Sequence, residues 1–389
     1  MLTVFFFLIS GPHAIAFQSA DTTSSKKTAD REPFEKLAIR AQSAMNAEQI
    51  PDAIRLYAQA TRLRPDWSEG WWFLGTLLFD TERFKEAQNA FTHFLATERK
   101  QREPGFAMLG LTEFELKHYE KALAALERSL KPGLQADPQF ARNVLLHDGM
   151  LNALIGKPDL ALQRLTLAAN QIAAAYPEAP KDHVLSDIEL LDAFGIAALR
   201  MRTLPSDLAT DKKAEIRQTG RAQALIAIQD RVAAEIEFQQ LLTQYASESG
   251  VNYAYGVFLL KEHPSQAASA FRRELEISPS HVAARIQLAL RSLETGEYED
   301  GIAFAEQAID LEPSNFVAHV ALGKLYLELG KTDLAIRELQ MSVKLSPGSP
   351  DAHFALERAF LLANRKAEAK RERAAFERLK ELSDAANQQ

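Results

Sequence analysis

The sequence predicts an all-α protein built as an array of antiparallel helix pairs, and three observations carry that prediction. Pro279, Pro313 and Pro347 stand 34 residues apart, a period that signals stacked helix pairs. Between Pro313 and Pro347 the apolar residues fall into two amphipathic runs, Val317, Val320, Ala321, Leu325, Leu327 and then Leu334, Ala335, Leu339, Val343, Leu345. At 389 residues, 47% of them apolar and 25% charged, the chain is too long for one compact core and too apolar to be disordered.

The elements follow in order. Met1–Ser10 is an apolar run, broken by Gly11-Pro12 and followed by Ala14-Ile15-Ala16, a small-x-small cleavage pattern. The run falls short of the roughly 20 residues a membrane span takes, and no Lys or Arg precedes it. Residues 1–16 are therefore expected to be a signal peptide and 17–29 a disordered, solvated tether. The mature chain is expected to be exported, periplasmic or secreted, without a transmembrane span. Residues 30–175 read as an N-terminal sub-array. Tyr176-Pro177-Glu178-Ala179-Pro180 reads as a hinge, residues 176–248 as an irregular unit, and 249–382 as a C-terminal sub-array with a capping helix. In the unit from Ser314 to Pro347, Gly330-Lys331-Thr332-Asp333 is the turn. The proline closes the second helix, because the residue before a proline is disfavoured in the helical region.

In the irregular unit, Val184 to Arg202 reads as a first helix with Leu191, Phe194-Gly195 and Ala198 in order, and its second helix is expected at Ala234, Phe238 and Leu241. About 27 residues, 203–229, then count as an insertion. Arg221 to Arg231 is expected to prolong the second helix, and the part around Pro205-Ser206-Asp207 to project as a loop, where arrays often bind. The last helix, Arg365 to Glu381, holds seven basic and four acidic residues and gives the array a polar outer face.

The helix-pair pattern resembles the tetratricopeptide repeat. Leu322-Gly323, Tyr326, Ala335 and Pro347 match its signature, with His319 in place of the large first residue. Trp71, Leu74-Gly75, Ala87, Phe91 and Phe94 match closely, and so do Phe106, Leu109-Gly110, Tyr119, Ala122 and Leu126. Gly301 stands where the second-helix alanine belongs. About nine units run over residues 30–382. The resemblance implies a right-handed superhelical solenoid whose first helices line a concave peptide-binding groove.

Carried onto this chain, the ligand-facing places of that groove are Glu69, Trp72, Thr76 and Phe79 in the second unit and Ala107, Leu111 and Phe114 in the third. In the fourth they are Asn143, Leu146 and Met150. Tyr253 and Val257, Ile286 and Leu290, then Val320 and Lys324 follow. Asp80 and Glu115 flank it. The positions that clamp a terminal carboxylate in some relatives hold Ala38, Gln42, Trp72, Phe73, Pro104 and Met108, so that acidic tail class is not expected to bind. Trp72 and Phe79 fit either anchors for an apolar ligand or packing within the array; Phe114 reads as packing.

Chemistry is not expected. A chain without cysteine has no thiol nucleophile or Cys-based metal site. Gly330-Lys331-Thr332 lacks the earlier glycine of a phosphate loop, since position 325 is leucine. His319 and His353 occupy equivalent places and have no second ligand at i+3 or i+4, so packed imidazoles are expected there and no metal. No cofactor is expected, and a net charge of −7 speaks against nucleic acid. The expected function is a scaffold for a protein or peptide partner outside the cytoplasm. The alternatives are a structural, self-associating envelope component, and an enzyme or a glycan or lipid carrier subunit.

Overall fold

The computed structural model describes residues 28–100, 102–130 and 138–387. The expected signal peptide and residues 17–27 of the expected tether lie outside the described residues. Among these residues every regular element is helical. The helices are α1 (Thr28–Asn46), α2 (Ile50–Leu63), α3 (Ser68–Asp80), α4 (Phe84–Thr97), α5 (Glu103–Glu115), α6 (Tyr119–Leu130) and α7 (Pro138–Leu154). There follow α8 (Pro158–Ala175), α9 (Pro180–Ser186), α10 (Ile188–Ala198), α11 (Lys213–Ala227), α12 (Arg231–Tyr245) and α13 (Val251–Leu259). The chain closes with α14 (Pro264–Ile277), α15 (Val282–Thr295), α16 (Tyr298–Leu311), α17 (Phe316–Glu328), α18 (Thr332–Leu345), α19 (Pro350–Leu362) and α20 (Lys366–Asn387). The architecture is an all-α helical-repeat solenoid, and the chain divides into two compact units at Leu151/Asn152, inside α7.

In the N-terminal unit α1 pairs with α2, α3 with α4 and α5 with α6, and α3 also touches α5. The pairings α3–α4 and α5–α6 share one device. The second helix lays a large residue across a glycine of the first: a Cβ on Gly75 would stand 2.7 Å from the Phe91 ring, and one on Gly110 2.6 Å from Leu126. Both large residues are fully buried, as are Ala53, Ala87 and Ala122 on the second helices of the three pairs. Close approach of backbones is what the small residues provide, and the dispersion contacts so gained hold the pair.

The turns between paired helices are as regular as the helices. Glu48, Glu82, Lys117, Gly156, Arg200, Gln229, Gly296, Gly330 and Asn364 all have positive φ. After most of them the next N–H reaches back five residues, Arg83 to the Leu78 carbonyl at 2.9 Å and Lys331 to that of Tyr326 at 2.9 Å. This is a left-handed helix cap, which satisfies a carbonyl the helix end leaves free.

The second unit keeps the same pairings, α13 with α14, α15 with α16, α17 with α18 and α19 with α20. Gly301 is explained by space: a Cβ there would lie 2.7 Å from both Leu325 and Ser292, leaving no room for the usual alanine. Side-chain caps set helix starts. Asp187 accepts from Leu190 N, Asp230 from Ala233 N and Asn315 from Val317 N and Ala318 N.

The irregular region differs from expectation. The partner of α10 is α11, which lies wholly inside the presumed insertion. A Cβ on Gly195 would sit 1.9 Å from the Ile216 carbonyl oxygen, and one on Gly220 1.8 Å from that of Leu191, so the two backbones touch. Arg217 closes the pair with a two-pronged bond to Asp192, at 2.9 and 2.8 Å. Arg221 to Arg231 does not prolong a helix, because α11 ends at Ala227 and the left-handed Gln229 turns the chain into α12. Nor does the loop at Pro205–Asp207 project freely: Leu204 and Leu208 on either side of its short 3₁₀ turn are buried. Tyr176–Pro180 is not the boundary between units, because α8 packs against both α9 and α10.

Candidate functional site

The groove predicted from the resemblance is assessed from α3, α5 and α7 in the N-terminal unit. Glu69 is exposed, and Trp72, Thr76 and Phe79 follow it at helical spacing on the same face of α3, each half-buried. Trp72 packs its ring against Phe91 and Phe94, with centroids 6.0 and 5.3 Å apart. Phe79 meets Phe84 edge-on at 5.5 Å. Thr76 donates its hydroxyl to the Phe73 carbonyl at 3.0 Å. These aromatic rings are therefore braced from behind while part of each faces solvent.

On α5, Phe114 is half-buried between Tyr119 (5.7 Å) and His147 (4.6 Å), as packing would have it. On α7, Asn143 is half-buried and accepts from Arg142 at 2.8 Å. The other residues lie inside. Leu111 is 6% exposed, Leu146 0% and Met150 3%, so their side chains are occupied in packing. Tyr253, in the second unit, is 5% exposed. Its hydroxyl accepts from Arg200 Nη1 at 3.2 Å, and its ring lies 4.6 Å from that of His281. Burial pushes the Tyr253 phenol above its ordinary range, with the neighbouring Arg200 opposing. The face available to a ligand is thus Glu69, Trp72, Thr76 and Phe79, extended by parts of Phe114 and Asn143.

Asp80 ends α3 next to Phe79. Surrounding protein pushes its carboxyl up to about 6 by desolvation, although the residue is still exposed. Solvent on the open side of the carboxyl screens its charge.

A second concavity was not anticipated. A cleft of about 470 Å³ opens between α2 and α4, with Ile54, Leu74 and Leu78 in its floor and Arg55, Arg62 and Arg83 on its rim. Arg55 is paired with Asp52 and Arg83 with Glu86, both at 2.7 Å.

The two equivalent histidines turn out to be hydrogen-bonding posts. His319 Nδ1 lies 2.8 Å from Glu338 Oε2 and its Nε2 3.1 Å from the Pro313 carbonyl oxygen. His353 repeats this with Glu372 at 2.6 Å and Pro347 at 3.0 Å. In the N-terminal unit Trp71 Nε1 donates to the Pro65 carbonyl at 2.9 Å, so histidine does at Nε2 what tryptophan does elsewhere. Among the described residues no group of three His, Cys, Asp or Glu side chains could hold a metal ion, and no helix is long and apolar enough to cross a membrane.

Tetratricopeptide repeat models match residues 40–95, 292–344 and 320–387. No curated protein matches the chain in sequence. Among solved structures, a MamA double mutant designated RS-1 ArsTM is similar at 17% identity and a TM-score of 0.40, covering 44% of this chain and 97% of that one. MamA from Desulfovibrio magneticus RS-1 is similar at 19% identity and a TM-score of 0.38, covering 44% of this chain and 96% of that one. At these values the likeness assigns neither partner nor activity. Residues 40–95 and 292–387 are thus similar to tetratricopeptide repeats.

Proposed function

We propose that the protein is an interaction scaffold that holds an extended or helical peptide segment against the first helices of its N-terminal unit. The observation that carries this reading is the row of Trp72, Thr76 and Phe79 on α3. It presents aromatic surface that is braced by Phe91, Phe94 and Phe84 yet left partly open. Rigid, half-open aromatic anchors are the usual hot spots of interfaces, each worth about 2 kcal/mol or more on truncation. The matched repeat models belong to a scaffold family rather than a catalytic one, which favours binding over chemistry.

The groove residues call for a ligand with apolar anchors. A displayed-peptide selection on the full chain tests this. The selected peptides are expected to bind Thr76→Arg and Phe79→Ala at least about tenfold more weakly than the parent, with the helical circular-dichroism spectrum retained. Peptides that bind parent and both variants alike overturn the groove.

Export belongs to the same proposal and rests on the apolar Met1–Ser10 and the Ala14-Ile15-Ala16 pattern. Mass spectrometry of the protein from its native cell fractions tests it, with an N-terminus beginning at Phe17 as the expected result. A protein retaining residues 1–16 and residing in the cytosolic fraction refutes it.

A further inference from the structure

We propose that the end face formed by α19 and α20 docks a second copy of this chain, the two copies related by a two-fold axis with their α20 helices antiparallel. The repeat itself shows what covers such a face. Leu327 on α17 is 6% exposed and shares a core cluster with Ala355 and Ala359 of α19. Ile286 on α15 is 7% exposed and shares one with Ala318 of α17. In each case the first helix of the next unit does the covering. The equivalent places on α19 are Leu361, one period after Leu327, and Phe354, two periods after Ile286. They stand 54% and 46% exposed, because among the described residues no helix follows to cover them. Leu362 beside them is exposed as well.

The other half of the face is α20, which carries charge where the preceding second helix is apolar. Ile336, Leu339 and Val343 of α18 pack into the cluster with Ala355 and Leu356 of α19. One period later stand Lys370, Arg373 and Glu377, all exposed. At 100° per residue, Lys366, Lys370, Arg373, Glu377, Glu381 and Asp384 keep within about 80° of one another around α20. Along that stripe the sign changes once, with three cations first and three carboxylates after. Lys380 borders the stripe, and Arg371 and Arg378 lie at least about 60° past its other edge. Arg373 and Glu377 bond to each other at 2.8 Å. Lys366, Lys370, Glu381 and Asp384 have no ion-pair partner among the described residues.

The occupant follows from that order of charges. A stripe that begins basic and ends acidic is complementary to itself when two copies run antiparallel. With the crossing at the exposed Ala374, which is small enough for close approach, Lys370 of each copy meets Glu381 of the other and Lys366 meets Asp384. A self-complementary patch is what a closed two-fold assembly uses. The charged stripe and the apolar strip are tied into one surface. Arg373 lies 3.5 Å from Glu357 of α19, and the Phe354 and Phe376 rings are 5.4 Å apart. Exposed ion pairs alone contribute little, so the burial of Phe354, Leu361 and Leu362 drives the association. The charges fix the direction of the partner helix and select a copy of this chain over an unrelated apolar helix.

Sedimentation velocity of the full chain tests this. A monomer–dimer equilibrium is expected between about 1 and 100 μM. Lys370→Glu and Glu381→Lys should each weaken it at least about tenfold, and the two together should restore it, since each reversed charge again meets its opposite. Leu361→Ser/Leu362→Ser should weaken it as well. Glu299→Lys/Asp300→Lys on α16 should leave it unchanged. All of these alter exposed side chains, and each variant should retain the parent's circular-dichroism spectrum. A chain that stays monomeric throughout leaves the face to some other helix and overturns the proposal. Single variants that dimerise like the parent overturn it, as does a combined variant that fails to recover. Growth beyond the dimer overturns the two-fold arrangement. Thr76→Arg and Phe79→Ala should dimerise like the parent, so failure here and failure of the groove are read separately.

Discussion

Replacing Gly220 by alanine tests the unexpected pairing of α10 with α11. The new Cβ would stand 1.8 Å from the Leu191 carbonyl oxygen, 2.7 Å from its carbon and 3.1 Å from Gly195 N. A carbon and a carbonyl oxygen rest at about 3.3 Å even in a close C–H···O contact, so the helices must part by about 1.5 Å. The obstacle is backbone on both sides, and no side chain can rotate out of the way. The interface that opens is lined by Leu191, Ile216 and Leu225, all within 1% of full burial. A gap of that size forfeits a large share of their dispersion contacts, and overpacking of this kind costs about 3 kcal/mol. Alanine's better helix propensity returns about 1 kcal/mol, leaving a net loss near 2 kcal/mol. The assay is urea unfolding followed by circular dichroism, with Gly348→Ala as a control, since nothing lies within 4 Å of a Cβ there. Hydrogen exchange adds the location of the loss, because arrays need not unfold as one cooperative block. A Gly220→Ala protein as stable as the parent, or more stable, would refute the backbone contact and with it the pairing.

Other outcomes can be checked alongside. His353→Ala leaves the Pro347 carbonyl and the Glu372 carboxylate without their ring partner, so it should cost about 2 kcal/mol in urea. His319→Trp should keep the bond to the Pro313 carbonyl and be milder than His319→Ala; equal losses would refute the analogy with Trp71. Asp80, with its carboxyl raised to about 6, disfavours the folded state once it is charged. Its contribution is most favourable below the unfolded value near 4 and is lost as pH rises through about 6. Asp80→Asn should therefore stabilise at pH 8 by about 0.5 kcal/mol, given the solvent screening, and give no gain at low pH. A gain that is the same at both pH values would refute the desolvation.

Much of the array was legible because each regular pair announces itself locally. Gly75 under Phe91 and Gly323 under Leu339 stand in fixed register with prolines and turns, and a period of 34 exposes them. The pair α10–α11 was misread for a physical reason. Its closeness comes from Gly195 and Gly220, which meet carbonyl oxygens, and no large residue marks the second helix as Phe91 or Leu126 does elsewhere. The first aromatic after Phe194 in the expected register is Phe238, on α12. The His319–Glu338 contact spans two helices, and no test at i+3 or i+4 can see it. In the groove, spacing placed Glu69, Trp72, Thr76 and Phe79 on one face, but it could not tell that Leu111, Leu146, Met150 and Tyr253 turn inward. An aliphatic or phenolic residue at helical spacing reads the same whether it faces a ligand or a neighbouring helix. Arg102 and Arg128, which both stack on Phe106, come from two separate stretches of chain, so only the folded unit brings them together.

The left-handed caps have a practical corollary. Six of the positive-φ turn residues, Glu48, Glu82, Lys117, Arg200, Gln229 and Asn364, carry a side chain in a region where a Cβ is costly, by roughly 1 kcal/mol for each. Glycine at Glu82 or Lys117 would relieve that cost without touching a helix face. Since such sites lie a full repeat apart, their effects should sum. The array can thus be hardened one corner at a time, which would let the rigidity of a single segment be varied while the surfaces that meet partners stay the same.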